Sequence, residues 1–227
     1  MAAALSIVIP TYRAAGRLGQ TLRGLAAAMV DGDEAIVADG GSDDGTAEIA
    51  AAAGARVVAV ARGRGPQLAA GAAAAANDWL LFLHADTVPG PGWRAAAAGH
   101  MGDPANARRA GYFRLVLDDG APAARRVERL AAWRARVLGL PYGDQGLLIS
   151  TALYDAVGGY RPLVLMEDVD LVRRIGRARL AALPAEVRTS AERYRRDGWW
   201  ARPARNLACL TLYFAGVPVR WIERVYR

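Results

Sequence analysis

Residues 35–46 read Ala-Ile-Val-Ala-Asp-Gly-Gly-Ser-Asp-Asp-Gly-Thr, a short apolar run that ends on a carboxylate and a glycine-rich turn. Apolar runs of this length, bounded by Gly and Asp, indicate a buried strand. The Thr that follows the turn suits the first residues of a helix. A strand, a tight turn and a helix in this order predict an α/β protein with a parallel sheet.

The same alternation continues on both sides of this stretch. Strands are predicted at 5–9, 56–61 and 79–83, and Ala-rich helices at 15–29, 45–53 and 66–76. Such βαβ units imply a mostly parallel sheet. The second half is less regular. There we predict strands at 111–117 and 146–150 and helices at 123–138, 166–179, 206–216 and 219–227.

Composition limits the class of protein and its partners. The chain has 227 residues, 53% of them hydrophobic, with a net charge of +7 carried entirely by Arg because Lys is absent. A basic balance favours anionic partners such as nucleotides, phosphates or acidic lipid. A single Cys excludes an internal disulfide and a Cys-based metal site. We expect no signal peptide and no membrane-spanning segment, since no apolar run approaches about 20 residues.

Acidic residues follow two of the predicted strands, where parallel sheets bind their ligands. Asp39 can accept a hydrogen bond from a base or a ribose, or it can simply cap the next helix. Asp86, with His84 two residues before it, can hold Mg²⁺ or Mn²⁺ against a diphosphate. The alternative is that Asp86 begins a turn and that His84 is a structural histidine.

Two segments in the second half contain further candidate functional residues. Residues 166–171 read Met-Glu-Asp-Val-Asp-Leu, and carboxylates at a helix N-terminus stay ionised and can act as a general base. Their alternative role is compensation of the helix dipole. Residues 141–146 read Pro-Tyr-Gly-Asp-Gln-Gly, a loop whose glycines allow close approach to a ligand.

In their joint order these segments resemble the family 2 glycosyltransferases, which have a GT-A fold and invert the anomeric centre. The matching segments are 7–12, 39–46, 81–86, 158–160 and 167–168. More narrowly, the chain is similar to a soluble subgroup with a His-Ala-Asp-Thr metal motif, with which it shares Gln67, Gly71, 143–146 and 189–191.

The chain departs from the family pattern at three positions. Arg13 stands where the family usually has Asn, His84 replaces the first Asp of the Asp-x-Asp metal motif, and Ala69 stands where the subgroup often has Asn. The Gln-x-x-Arg-Trp motif of processive synthases is absent, which predicts single transfers.

The resemblance implies a role for each candidate residue. The catalytic base would be Asp168, with Glu167 beside it, and Mn²⁺ or Mg²⁺ would be held by Asp86 with His84. Acceptor binding would involve Asp144, Gln145 and Tyr160. The nucleotide of a donor, expected to be a UDP-sugar, would contact Pro10, Thr11, Tyr12, Asp39, Gly40, Arg64, Gln67 and Ala85.

The resemblance also implies one GT-A domain over 1–227, with a nucleotide-binding half (1–105), an acceptor half (106–195) and a C-terminal helical segment (196–227). We expect a cytoplasmic enzyme with a hydroxyl acceptor and no nucleic-acid partner. Aromatic and Arg residues alternate in the C-terminal segment, so it either rests on anionic lipid at the inner face of the membrane or packs on the domain or a second copy. Alternative functions are a sugar-phosphate nucleotidyltransferase and a non-catalytic nucleotide-sugar-binding protein.

Overall fold

The computed structural model describes residues 3–226, and within that range it contains one sheet of eight strands and ten α-helices. The strands are β1 (Ser6–Thr11), β2 (Glu34–Asp39), β3 (Arg56–Ala59), β4 (Trp79–Phe82), β5 (Thr87–Pro89), β6 (Ala110–Leu117), β7 (Leu147–Ser150) and β8 (Leu180–Thr189). The helices are α1 (Ala15–Ala26), α2 (Thr46–Ala52), α3 (Arg64–Ala73), α4 (Trp93–Gly102), α5 (Pro122–Leu138), α6 (Thr151–Ala156), α7 (Glu167–Ile175), α8 (Glu192–Asp197), α9 (Ala201–Phe214) and α10 (Val219–Tyr226).

The strands follow the order β3-β2-β1-β4-β7-β6-β8-β5 across the sheet. Neighbouring strands are parallel in four pairs and antiparallel in three. All of the pairs within the first half, β3-β2-β1-β4, are parallel. The expected α/β class with a mostly parallel sheet is therefore confirmed, and the antiparallel pairs all involve β5 or β7.

The central strands are buried because helices cover both faces of the sheet. In β1, Val8 packs into one hydrophobic cluster, whereas Ile7 and Ile9 pack into the other. In β4, Leu80 and Leu81 likewise point to opposite faces. Side chains alternate between the faces of a strand, so a continuous apolar run is what a sheet with two covered faces requires.

The second half differs from the expectation in several places: α6 and α8 were not predicted, and α9 begins at Ala201 although a helix was predicted over 206–216. The largest difference follows α7. The helix expected over 166–179 ends at Ile175, and the chain then enters β8, a ten-residue strand that the sequence did not predict. Gly176 ends the helix with a φ of 85°, a conformation that Gly adopts without strain. Strand β8 pairs in parallel with β6. Within residues 3–226, no helix is long and apolar enough to cross a bilayer.

Candidate active site

The carboxyl ends of β1, β2 and β4 lie side by side, because these strands are parallel neighbours in the sheet. Thr11 is in register with Asp39, and the segment that carries His84 and Asp86 follows β4. Sequence reasoning expected ligand-binding side chains at this edge. The structure brings these polar residues to the same edge.

Asp39 is buried and engaged in four hydrogen bonds. Its carboxylate accepts from the Thr11 and Ser42 hydroxyls at 2.8 and 2.6 Å and from the backbone N–H groups of Ser42 and Gly41 at 2.7 and 3.1 Å. Burial alone would raise the pKa of Asp39, but these hydrogen bonds outweigh it and hold the pKa below its ordinary value. Asp39 thus fixes the shape of the turn at residues 39–42 through its carboxylate.

Gln67 holds the ends of β1 and β2 together. Its side-chain amide donates to the carbonyl oxygens of Thr11 and Ala38 at 2.5 and 2.9 Å and accepts from the Gly63 N–H at 3.2 Å. Gly40 packs directly on this side chain, since a Cβ at Gly40 would lie 3.2 Å from Nε2 of Gln67. Both candidates for nucleotide binding therefore also hold the first loop in place.

An open cleft of about 810 Å³ lies in front of these loops. Tyr12 lies on its wall, and the Arg62 guanidinium stacks 3.9 Å from the centre of the Tyr12 ring. The candidate residues that line this cleft are Pro10, Thr11, Tyr12, Arg64, Gln67, His84, Ala85 and Asp86. A planar aromatic ring beside cationic groups suits a base and its phosphates.

A smaller cavity of about 110 Å³ continues inward from this cleft. Three acidic candidates from distant parts of the chain, Asp86, Asp144 and Asp168, line it together. Arg64, His84 and Asp86 line the cavity and the cleft alike. The structure therefore brings together the acids expected for the metal, the acceptor and the catalytic base.

Asp168 is held by the loop opposite it. The Gly143 N–H donates to Oδ2 of Asp168 at 2.8 Å, and the Val169 N–H donates to Oδ1 at 2.7 Å. Helix α7 begins directly before Asp168, after Met166, whose φ is 64°. Positive φ at a bulky non-Gly residue is rare and is found mostly where a site requires it.

Glu167 is the most deeply buried acid of the site. Its side chain is 1% exposed, the Arg64 guanidinium lies 3.6 Å away, and its Oε2 atom lacks a hydrogen-bond partner in the described part of the chain. Burial raises the pKa of Glu167 to about 7, the Arg64 charge opposes the rise and the Asp168 charge adds to it. Glu167 can therefore carry a proton near neutral pH.

Asp144 shares the cavity with Asp168. Burial raises the pKa of Asp144, Arg134 and Arg64 oppose this, and the negative charges of Asp168 and Asp86 add to it. Its Oδ1 atom is buried and has no hydrogen-bond partner among the described residues. Buried polar atoms are normally hydrogen-bonded, so an unpaired oxygen on a cavity wall is a candidate contact for a ligand.

Gln145 and Tyr160 lie in the core next to the cavity. Gln145 is 1% exposed, donates to the Phe113 carbonyl at 3.1 Å and accepts from Arg134 at 3.2 Å. Tyr160 is 8% exposed and packs edge-on against Phe82 with 4.8 Å between ring centres. Their acceptor-binding roles stay predictions, and the contacts that the structure gives them are packing and support of neighbouring loops.

His84, two residues before Asp86, packs against the loop at residues 141–146. A Cβ at Gly143 would lie 2.5 Å from Nε2 of His84, so the imidazole can pack here only because this position is Gly. Burial, with the charges of Arg64 and Arg193, lowers the pKa of His84 well below its ordinary value. The ring is therefore neutral, the form in which His ligates a metal.

The chemistry around Asp86 fits a divalent cation held jointly with a substrate. In residues 3–226, no group of three or more His, Cys, Asp or Glu side chains is arranged to hold a metal by itself. Mg²⁺ and Mn²⁺ accept one or two carboxylates together with substrate phosphates. Asp86 faces the cavity, and the unpaired oxygen of Asp144 lies on the same wall, so oxygen ligands are present without a closed cage.

Sequence reasoning missed four residues that close the cavity. Arg193 lies on α8, Arg202 and Asn206 lie on α9, and Tyr226 lies on α10; all four line the inner cavity. Arg202 is 5% exposed and its guanidinium lies 4.4 Å from the Tyr226 ring. The predicted helix over 206–216 did not include Arg202, because α9 begins at Ala201. The one signal for Arg202 was its place among the alternating Arg and aromatic residues of the C-terminal segment.

Comparison with solved structures supports the fold. The Mycobacterium tuberculosis glucosyl-3-phosphoglycerate synthase, solved with Mn²⁺, UDP and glucosyl-3-phosphoglycerate, is 21% identical with a TM-score of 0.62, over 95% of this chain and 81% of that chain. Staphylococcus aureus TarS is 15% identical with a TM-score of 0.67, over 97% of this chain and 42% of that one. These likenesses confirm the expected GT-A fold.

Sequence comparison adds the family. A search of curated proteins finds no match. The model of glycosyl transferase family 2 matches residues 6–137, which is more than half of the chain and includes β1, the Asp39 turn and the Asp86 segment. The chain therefore belongs to glycosyl transferase family 2 and is a glycosyltransferase.

Proposed function

We propose that this enzyme transfers the sugar of a UDP-sugar donor to an acceptor hydroxyl with inversion of the anomeric centre, using a divalent metal. The observation that carries the proposal is the shared cavity of Asp86 and Asp168, which opens into the cleft lined by Tyr12 and Gln67. A single displacement at the sugar needs a carboxylate that holds the metal and a base that deprotonates the acceptor, and here both candidates lie next to one donor cleft.

The donor nucleotide would occupy the outer cleft. Tyr12 offers an aromatic face, and the Arg62 and Arg64 guanidinium groups supply positive charge for a diphosphate. UDP as the nucleotide is supported by related structures, among them a Mycobacterium tuberculosis glucosyl-3-phosphoglycerate synthase solved with Mg²⁺ and UDP. Because all four acceptor sites of the Asp39 carboxylate are filled, we assign Asp39 mainly to shaping the base pocket.

Asp86 would hold the metal together with oxygens of the diphosphate, and His84 would support that position as a neutral ring. The metal, when bound, neutralises the charge that develops on the leaving diphosphate. Arg64 and Arg193 would add fixed positive charge on the same side, since both line the cleft and the cavity. Preorganised charge of this kind stabilises a leaving group without reorganisation at the moment of reaction.

Asp168 would take the proton from the acceptor hydroxyl. The Gly143 N–H fixes the orientation of its carboxylate, and the unpaired Asp144 oxygen can accept a second hydrogen bond from the acceptor. Glu167 lies behind Asp168 against Arg64, where it positions the Arg and does not face the acceptor. We assign Glu167 as a positioning residue and Asp168 as the catalytic residue.

The three predicted segments of the chain each contribute to this arrangement. Tyr12 and Arg64 come from the nucleotide-binding half (1–105), and Asp144 and Asp168 come from the acceptor half (106–195). The C-terminal segment (196–227) supplies the residues of α9 and α10 that close the cavity. The division into segments, the His-Ala-Asp-Thr subgroup and the cytoplasmic location stay predictions.

A thermal-shift panel of nucleotide sugars with and without Mn²⁺ tests the proposal, because a ligand that binds only the folded state raises Tm. We expect UDP-sugars to raise Tm most in the presence of Mn²⁺ and to be hydrolysed slowly without acceptor. Donor binding without hydrolysis or transfer would instead indicate a non-catalytic binding protein. Pyrophosphate release from UTP and a sugar phosphate would indicate a nucleotidyltransferase.

A further inference from the structure

The C-terminal helices α9 and α10 have two faces of opposite character. The inner face carries Arg202, Asn206 and Tyr226, which line the cavity. The outer face of α9 carries Leu207 and Phe214, seven residues apart and therefore on the same side of the helix. Their exposed fractions are 62% and 49%, although the Arg173 guanidinium of α7 lies 4.6 Å from the Phe214 ring.

Exposed aromatic side chains also lie on either side of α9 along the chain. Trp200, directly before the helix, is 69% exposed, and Trp221 of α10 is 47% exposed. The guanidinium of Arg126 on α5 lies 5.3 Å from the Trp200 ring. We name the set Trp200, Leu207, Phe214, Trp221 and Val225 the outer apolar surface.

The charged side chains of α9 and α10 are Arg, with the single exception of Glu223. Arg220 and Arg224 are exposed, and their guanidinium groups lie 6.0 and 4.3 Å from the Trp221 ring. Residues 198–226 contain a single acid, Glu223, and it lines the donor cleft on the inner side. Arg residues beside exposed Trp and Phe are the pattern of a helix that lies in a lipid–water interface.

We propose that the outer apolar surface docks the enzyme on a membrane that contains anionic lipid. Leu207, Phe214 and Trp221 would enter the boundary between headgroups and acyl chains, while Arg220 and Arg224 would contact lipid phosphates. The charge decides between occupants, because two copies meeting through this surface would bring like charges together. Because α9 would lie between the cavity and the lipid, and a helix is about 10 Å across, docking would hold the cavity about 10 Å from the membrane surface.

Vesicle flotation of the full chain tests this proposal. We expect the wild type to float with phosphatidylcholine vesicles that contain phosphatidylglycerol, and to float poorly with phosphatidylcholine alone. Added salt should weaken the binding, because exposed charges are screened. Arg220→Gln/Arg224→Gln should bind about 30-fold more weakly, at about 1 kcal/mol per Arg near an anionic surface and about 1.4 kcal/mol per tenfold.

Matched variants separate docking from general effects of charge and folding. Arg56→Gln/Arg108→Gln removes the same charge outside the surface and should float like the wild type. Leu207→Ser/Phe214→Ser should lose flotation, whereas Val30→Ser, at a residue that is 45% exposed elsewhere, should retain it. Donor hydrolysis without vesicles should be unchanged in Arg220→Gln/Arg224→Gln, which shows that it folds.

Three results would overturn the proposal. The first is a wild type that does not float with anionic vesicles. The second is flotation that the Arg220, Arg224, Leu207 and Phe214 variants leave unchanged. The third is a wild type that does not bind vesicles but forms a dimer in light scattering, together with a Leu207→Ser/Phe214→Ser variant that is monomeric. That result would assign the surface to a second copy.

Discussion

The backbone N–H of Gly143 donates a 2.8 Å hydrogen bond to the carboxylate of Asp168, 25 residues further along the chain. The same glycine gives room to the imidazole of His84. One small residue thus joins the loop before β7, the start of α7 and the segment after β4. This junction sets the orientation of the proposed base, Asp168, relative to the segment that carries the proposed metal ligand, Asp86.

Replacing Asp168 by Asn tests the assignment of the base. Asn keeps the size of the side chain and can still accept from the Gly143 N–H, but it cannot take a proton. We expect kcat to fall by about 10²–10⁴, the usual value of a positioned base, while UDP still raises Tm. Asp155→Asn, at an exposed acid on α6, should keep normal turnover. Near-normal turnover of Asp168→Asn would remove this residue from the role.

Replacing Asp86 by Ala tests the metal site. We expect wild-type UDP binding, measured by calorimetry, to be tighter with Mn²⁺, and Asp86→Ala to lose that gain because the carboxylate that would hold the metal is gone. Asp78→Ala is the matched control, since Asp78 lies at the opposite end of β4. An Asp86→Ala protein with the full Mn²⁺-dependent gain would refute the metal assignment.

The raised pKa of Glu167 predicts a pH dependence of stability. Its folded-state pKa of about 7 lies above its ordinary value of 4.5, so the folded state binds the extra proton between these two values. Below pH 4.5 this group contributes fully to stability, and the contribution is lost as pH rises to about 7. The free energy of unfolding should fall by roughly 3 kcal/mol over this range, at about 1.36 kcal/mol per pKa unit.

Glu167→Gln should remove this loss, because Gln mimics the neutral acid. Denaturant unfolding from pH 4.5 to 8 is the measurement, and the free energy of unfolding of the variant should rise above that of the wild type as pH increases. Asp155→Asn should run parallel to the wild type over the same range. A constant difference between Glu167→Gln and the wild type would contradict the buried, protonated Glu167.

The contact between Gly143 and His84 predicts a coupled pair of substitutions. Gly143→Ala should destabilise the fold by about 1–3 kcal/mol, because its Cβ would overlap the imidazole. In Gly143→Ala/His84→Ala the overlap is gone, so the double variant should be more stable than the sum of the single effects, with a coupling of about 0.5–3 kcal/mol. Gly16→Ala, where a Cβ meets open space, should be additive with His84→Ala.

Arg13 has a positive φ of 51°, which Asn tolerates well and β-branched residues tolerate poorly. The family usually has Asn at this position, and the backbone supplies a physical reason. Both Arg13→Asn and Arg13→Val lose the ion pair with Asp43, so comparing them isolates the backbone effect. We expect a higher Tm for Asn than for Val, and equal values would show that this φ carries no strain.

The elements from β1 to β4 followed directly from the sequence, whereas β5 (Thr87–Pro89) and α4 (Trp93–Gly102) were not predicted. Some of their bounds are set by residues that act locally: β2 ends at Asp39 before Gly40, and α2 begins after Gly45. The acids Asp86, Asp144 and Asp168 were also identified, since a carboxylate beside a buried strand or loop is costly without a function. Strand β8 escaped prediction, because its residues gain their place by pairing with β6 and β5, both more than 60 residues away.

By itself, the sequence determined the order of strands and helices from β1 to β4, the segments that match the family and the acids available for chemistry. Only the tertiary structure decided where those side chains point. It turned Asp39 inward to hold its own loop, buried Glu167 against Arg64, and brought Arg193, Arg202 and Tyr226 over the cavity. The reason is physical: spacing fixes which residues share a face of one element, whereas burial and charge pairing depend on elements that meet only after the chain has folded.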